Sequence, residues 1–181
     1  MVMSISWPTH RTAAVRPLTG ADLRGIRLVR ADLAGADLTG TQLDSANLRR
    51  ATLCGIRAPH ASFIGVRMGR ADLSMAFLRG ADLSSADLSG STLRSADLVG
   101  ARLVGANMFG VDLRGANLTG ADLRRVTLEG STLRGAVLCG ADLTGSRMAT
   151  ADLRDVVWDV GTRWPEGVVV PLPAPRPACT D

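Results

Sequence analysis

The chain contains no tyrosine and no lysine, and among its 181 residues there are only two histidines, three cysteines, three Phe and three Trp. Each scarcity removes a class of function. His10 and His60 are the sole imidazoles, and neither lies in a motif with a Ser or Cys nucleophile and an orienting acid, so acid–base and covalent catalysis lack their usual carriers. Cys54, Cys139 and Cys179 are odd in number and far apart; they form no metal-ligand spacing and no disulfide framework, which favours a reducing compartment. Aromatic residues do not interleave with basic ones, so there is no platform for base stacking. No apolar window approaches the length of a transmembrane helix. Met1 to Pro8 carries no basic region and no apolar run of the kind a signal peptide needs. Cytoplasmic residence in a bacterium is the default expectation, with no cofactor and no metal.

Acidic and basic residues nearly balance, at a net charge of +4. Without lysine, all 21 basic residues are arginine, and 15 of the 17 acids are Asp, a skew that reads as genomic base composition rather than function. What is abundant is glycine, 20 residues, but with no GxxxxGK[ST] it does not form a phosphate loop.

The glycines belong to a repeat. From Ala21-Asp22-Leu23-Arg24-Gly25 to Asp155 a five-residue unit recurs 27 times without insertion or deletion. Its centre, position i, is Leu in 22 units, the exceptions being Ala58, Phe63, Met68, Met108 and Met148. Position i−2 is Ala in 18 units and otherwise Ile, Val, Thr or Ser; i−1 is Asp or Asn in 14; i+2 is Gly in 16. On an α-helix a step of five advances about 500°, so the leucines would drift around the axis and no apolar stripe would form. On an extended chain i−2 and i point one way and i−1 and i+1 the other. That alternation puts small apolar residues and Leu inside and Asp, Asn, Arg and Thr outside. Alternation has an even period, so a period of five requires a corner in every unit, which Gly at i+2 supplies.

This pattern resembles the pentapeptide-repeat family, whose A(D/N)LXX consensus is met at Ala21-Asp22-Leu23, Ala36-Asp37-Leu38, Ala46-Asn47-Leu48, Ala81-Asp82-Leu83 and Ala116-Asn117-Leu118. The resemblance implies an all-β fold, a right-handed quadrilateral parallel β-helix, with four units and 20 residues per coil. It would have about seven four-sided coils and a length on the order of 30 Å at a coil spacing of about 4.8 Å. Arg94, Arg114, Arg134 and Arg154 recur at that 20-residue spacing. Asp32, Thr52, Asp72, Thr92, Asp112, Thr132 and Asp152 alternate along it, which keeps stacked carboxylates apart.

Three segments follow: residues 1–15 as an N-terminal cap, 16–158 as the β-helix, and 159–181 as a C-terminal cap and Pro-rich tail. A cap is expected because a solenoid end carries unpaired edges. Within the repeat, Ile56-Arg57-Ala58-Pro59-His60 departs most from consensus. Ala58 and Ile56 exchange volume in the core, and Pro59 predicts a bulge or kink. At the far end Trp158 should plug the core, and Thr162-Arg163-Trp164-Pro165-Glu166-Gly167 resembles the T-x-W-P-x-G ending of many family members. Val168 to Leu172 is expected to fold back over that end or to meet a second copy. Pro171, Pro173, Pro175 and Pro177 read as an extended tail.

Assigning consecutive units to four sides gives net charges of −1 for the side of Leu23, +5 for that of Leu28, −1 for that of Leu33 and 0 for that of Leu38. The Leu28 side concentrates Arg27, Arg30, Arg49, Arg50, Arg67 and Arg70 near its N-terminal end, a candidate surface for carboxylate or phosphate. The Leu38 side presents Phe77, Val99, Val137 and Val157, a candidate apolar contact surface. The expected function is therefore a non-catalytic protein-binding or scaffold rod working through its sides, with an acidic protein as partner and no small-molecule substrate. The family resemblance offers an alternative, a DNA-mimicking modulator of DNA gyrase or topoisomerase IV giving resistance to quinolones or a related toxin. A DNA mimic needs a sustained anionic surface, and no side falls below −1. Direct binding of nucleic acid through the arginines is a third reading, and a homodimer through the C-terminal end is also open.

Overall fold

A computed structural model describes residues 18–170; the expected N-terminal cap and the Pro-rich tail lie outside them. Parallel bridges join each i−1 residue to the one 20 positions on, from Asp22 with Gln42 through Asn47 with Arg67 to Val137 with Val157. Four units thus make one turn of a solenoid, and the side assignments hold throughout the repeat. Among the described residues the bridges are isolated, with no longer run of strand. The reason is geometric: only i−2 to i is extended before the next corner, too short for a ladder of several pairs.

The unit centred on Leu83 shows where its five backbone N–H groups go. Ala81 donates to the Leu78 carbonyl three residues back (3.0 Å), closing the corner, and Asp82 donates to Ala61 of the preceding coil (3.0 Å). Leu83 and Ser85 donate to Arg102 (2.6 Å) and Val104 (2.9 Å) of the following coil. The Ser84 N–H, at i+1, faces out from the ladder and donates instead to the Asp82 carboxylate (3.0 Å). That last bond recurs in all 14 units with Asp or Asn at i−1, including Asn47 (3.3 Å), Asp72 (3.0 Å) and Asn117 (3.1 Å). The Asp/Asn of the repeat is therefore a backbone cap, an Asx turn in which the side chain satisfies the donor left over by the coil.

Inside, the i and i−2 columns form one continuous core in which Leu38 to Leu143, Phe63, Met68 and Met108 are fully buried. Three of the four hydroxyls that replace Ala at i−2 are satisfied by corner carbonyls, Thr41 donating to Leu18 (2.9 Å), Ser91 to Leu88 (2.6 Å) and Ser131 to Met108 (2.6 Å), while Ser146 donates to the Met148 sulfur (3.7 Å). Burial without such a partner would cost about 1–3 kcal/mol each.

Two expectations are corrected. Pro59 causes no bulge: Arg57 keeps its bridges to Asp37 and Phe77, and the Pro59 carbonyl accepts from Gly40 (3.1 Å). Proline is tolerated because i+1 is the one position whose N–H the coil does not use, and its fixed φ suits the first central residue of a corner whose second has φ > 0. Cys139, at an i+1 position that the repeat turns outward and in a chain expected to form no disulfide framework, is instead 3% exposed and disulfide-bonded, while Cys54 is a half-buried free thiol.

At the C-terminal end the coil runs beyond Trp158. Asp142 bridges to Arg163, a spacing of 21 rather than 20, so one residue is inserted between Trp158 and Thr162. Asp159 organises the insertion by accepting from Gly140 (2.9 Å) and Gly161 (3.0 Å). Thr162 takes an inward place, donating to the Leu138 carbonyl (2.8 Å). Trp158 and Trp164 meet edge to face (5.9 Å, 88°) and, with Val168, cover the end of the core.

Asp72 has a cap bond but no ion pair among the described residues, so it separates the two roles of the repeat aspartates. Asp72→Ala should lower unfolding stability by about 1 kcal/mol, and Asp72→Asn, which can still accept, by a few tenths at most. Denaturant melts check this; equal losses in both variants would show that charge, not capping, is the role.

Candidate anion-binding face

The corners decide which side chains stand out. Position i+2 has φ > 0 in nearly every unit, between 53° and 70° within the repeat. Glycine adopts this without cost, whereas another L-residue is strained by roughly 1–2 kcal/mol. Ten corners with φ > 0 nevertheless carry a side chain, and three of them, Arg30, Arg50 and Arg70 (φ 61°, 59° and 60°), stack on one edge of the Leu28 side in successive coils. The fourth arginine of this kind is Arg125, alone on the Leu23 side.

Beside Arg70 stands Gly69, the one glycine at i+1 in the 27 units. Gly69 is buried, and a Cβ there would meet the Ser89 hydroxyl at 3.4 Å, the Asp87 carboxylate at 3.5 Å and the Ser89 carbonyl at 3.6 Å, so the next coil closes over this position. Val29, Arg30, Arg49, Arg50, Gly69, Arg70 and Ser89 line a groove of about 610 Å³.

The acids and the arginines of the rod are distributed unequally. On the Leu23 and Leu33 sides the repeat aspartates cap the backbone and hold arginines at once. Asp22 and Arg24, Asp122 and Arg124, and Asp152 and Arg154 form two-bond forks of 2.6–2.8 Å. Asp112 takes Arg114 of its own unit and Arg94 of the preceding coil, both at 2.6 Å, so the Arg94 ladder pairs within units and between coils. On the Leu28 side none of Arg27, Arg30, Arg49, Arg50, Arg67 and Arg70 lies within ion-pair distance of a carboxylate among the described residues, and all six are exposed. Asp87 bridges to Arg67 in the backbone, but its carboxylate accepts from the N–H and hydroxyl of Ser89 (3.1 and 2.7 Å) and from the Asn107 amide (3.2 Å).

The apolar candidates are less coherent. Phe77 is 48% exposed and lies under the Arg57 guanidinium, 5.9 Å from the ring centroid, a cation–π contact. Val99, Val137 and Val157 are only half-buried members of the same side and do not extend it into a patch. Sequence reasoning passed over the large exposed apolar residues Ile64, Met75 and Phe109. It also passed over Gly69, whose signal, a glycine one place out of phase, was there to be read. No group of three or more His, Cys, Asp or Glu that could hold a metal occurs among the described residues, and no helix among them is long and apolar enough to cross a membrane.

The family model for pentapeptide repeats matches in eight copies, over residues 18–55, 46–84, 61–98, 86–125 and 116–157. The chain belongs to the pentapeptide-repeat family. Among solved structures its fold is similar to that of QnrB1, a plasmid-mediated fluoroquinolone resistance protein. A trypsin-treated variant of QnrB1 is 22% identical over 77% of this chain and 90% of its own, with a TM-score of 0.50. The full-length form is 19% identical over 77% and 92%, also with a TM-score of 0.50. HetL, a pentapeptide repeat protein involved in heterocyst differentiation regulation in the cyanobacterium Nostoc sp. strain PCC 7120, is 26% identical over 85% and 87%, with a TM-score of 0.40. No curated protein matches.

Two predictions follow from these charges and corners. Arg50→Gly removes corner strain without an ion pair to lose, and should raise unfolding stability by about 1 kcal/mol; a denaturant melt showing a loss would assign Arg50 a structural bond. Asp22 and Asp152 are held at about 2, below the ordinary 3.8, first by the side-chain bonds from Arg24 and Arg154 and then by the same residues' backbone N–H groups. Because the folded values lie below the unfolded ones, this stabilisation is present at neutral pH and is lost as pH falls from about 4 through about 2. Melting temperature should drop across that window, and less steeply in Asp152→Asn.

Proposed function

We propose that this protein is a non-catalytic rod that binds a carboxylate-bearing protein partner through its Leu28 side. The observation that carries this reading is the six exposed arginines without a carboxylate partner among the described residues, where the other three sides pair all of their arginines but Arg57 and Arg125. An exposed guanidinium is not itself unstable in water. Three stacked in strained corners, where glycine is the repeat's own solution, are a standing cost in stability that a binding role would offset. Arginine forks suit planar carboxylates, and unpaired like charges on one side would steer an acidic partner toward it. The test is capture of partner proteins by the immobilised rod. Arg49→Glu/Arg50→Glu/Arg70→Glu, with an unchanged far-ultraviolet spectrum, should lose the proteins that the parent retains at about 0.15 M salt. An unaffected set of captured proteins would reject this surface.

A second reading, modulation of a type II topoisomerase by mimicry of duplex DNA, takes its support from the fold shared with QnrB1. Surface charge weighs against it: the Leu23 and Leu33 sides carry −1 each, and their carboxylates are occupied by backbone caps and arginines. Gyrase supercoiling assays with and without a fluoroquinolone test it directly. Unchanged supercoiling and unchanged drug inhibition would dispose of this reading.

A further inference from the structure

We infer that the groove on the Leu28 side is a directional site for a short extended peptide, acidic along most of its length and apolar at one end. This rests on the proposed protein-binding role and names the chemistry the partner must present. The outer corner of this side changes character along the rod. Its i+2 column carries Arg30, Arg50 and Arg70 and then only glycine at 90, 110 and 130. A positive wall therefore gives way to a smooth backbone shelf. In the adjoining i+1 column, Arg49 and Gly69 are followed by Ser89 and then by Phe109, which is 57% exposed with its ring edge 3.9 Å from where a Gly130 Cβ would stand. Beyond Phe109 comes Glu129.

The occupant follows from that order. Carboxylates find unpaired guanidinium groups in the first three coils, and an apolar side chain finds the Phe109 ring two coils further on. From Arg30 to Phe109 is four coil spacings, about 20 Å, which an extended chain covers in about six residues. A uniform polyanion such as single-stranded nucleic acid fits poorly. It would gain one aromatic contact and would carry its charge on toward Glu129.

The test uses the whole protein and a fluorescein-labelled peptide of five alternating Asp and Glu residues followed by two Leu, read by anisotropy. Controls are the same peptide with the leucines replaced by Ser, a permuted peptide with the two leucines at its centre, and an oligothymidylate of equal charge. Arg30→Gly/Arg50→Gly/Arg70→Gly is the informative variant. It restores the repeat's own corner residue, so it should melt no lower than the parent, yet it should lose at least about tenfold in affinity. Phe109→Ala should weaken the parent peptide and leave the Ser control unchanged. Peptide retention by the triple glycine variant, or equal binding of the permuted peptide or of oligothymidylate, overturns the inference. Failure of the peptide to bind overturns it too, while loss of captured partners in the glutamate variant would still uphold the broader proposal.

Discussion

Everything in this rod depends on a coil that closes at 20 residues. At that length the N–H groups of i and i+2 meet carbonyls of the next coil, and that of i−1 meets the coil before. One residue more or less would turn a leucine outward and an aspartate inward. The C-terminal insertion shows what tolerating a 21-residue step takes: Asp159 and Thr162 supply side-chain bonds in place of the regular pattern. The gain comes from summation. No single bridge is strong, but each coil repeats the same set, and the leucine column that the coil encloses is dry from Leu38 to Leu143.

Closure also governs the surface. It leaves one N–H per unit, at i+1, without a backbone acceptor, and a carboxylate or amide at i−1 is the nearest group that can take it. Most of the protein's acids are thereby drawn into backbone capping, where they also hold neighbouring arginines. Arginines have no comparable backbone duty. Their placement is constrained only by what lies next to them, and in the first three coils of the Leu28 side, with Asn47 and an Asp87 engaged by Ser89, no carboxylate among the described residues claims them. The electrostatic asymmetry of the rod is thus a by-product of hydrogen-bond accounting on three sides and a departure from it on the fourth.

The period of five made the architecture legible without coordinates, because no helix or plain strand can bury residues at that spacing. The four side inventories follow from it and stand. Local chemistry was harder. Pro59 looked like a fault because proline usually removes a ladder donor, and only the knowledge that i+1 contributes none makes it harmless. Cys139 was read outward from its place in the unit, and neither the repeat nor the spacing of the three cysteines signals that it is bonded and buried. The arginine cluster was visible as a count; that its members lack partners was not, since Asp87 could as well have turned toward Arg67. Gly69, which lines the groove together with the arginines, is a feature of one unit that averaging over 27 conceals.

The division of labour between the coil and its caps is open to direct measurement by amide hydrogen exchange. The N–H groups of Ser74, Ser84 and Thr119 are capped by the residue two before them. Those of Cys54, Arg79 and Val104, at the same position in units without Asp or Asn, have no acceptor among the described residues. Exchange should therefore be slow at the first three, fast at the second three, and slow at the neighbouring i positions of all six units. Protection that is uniform across i+1, whatever residue stands at i−1, would contradict the account.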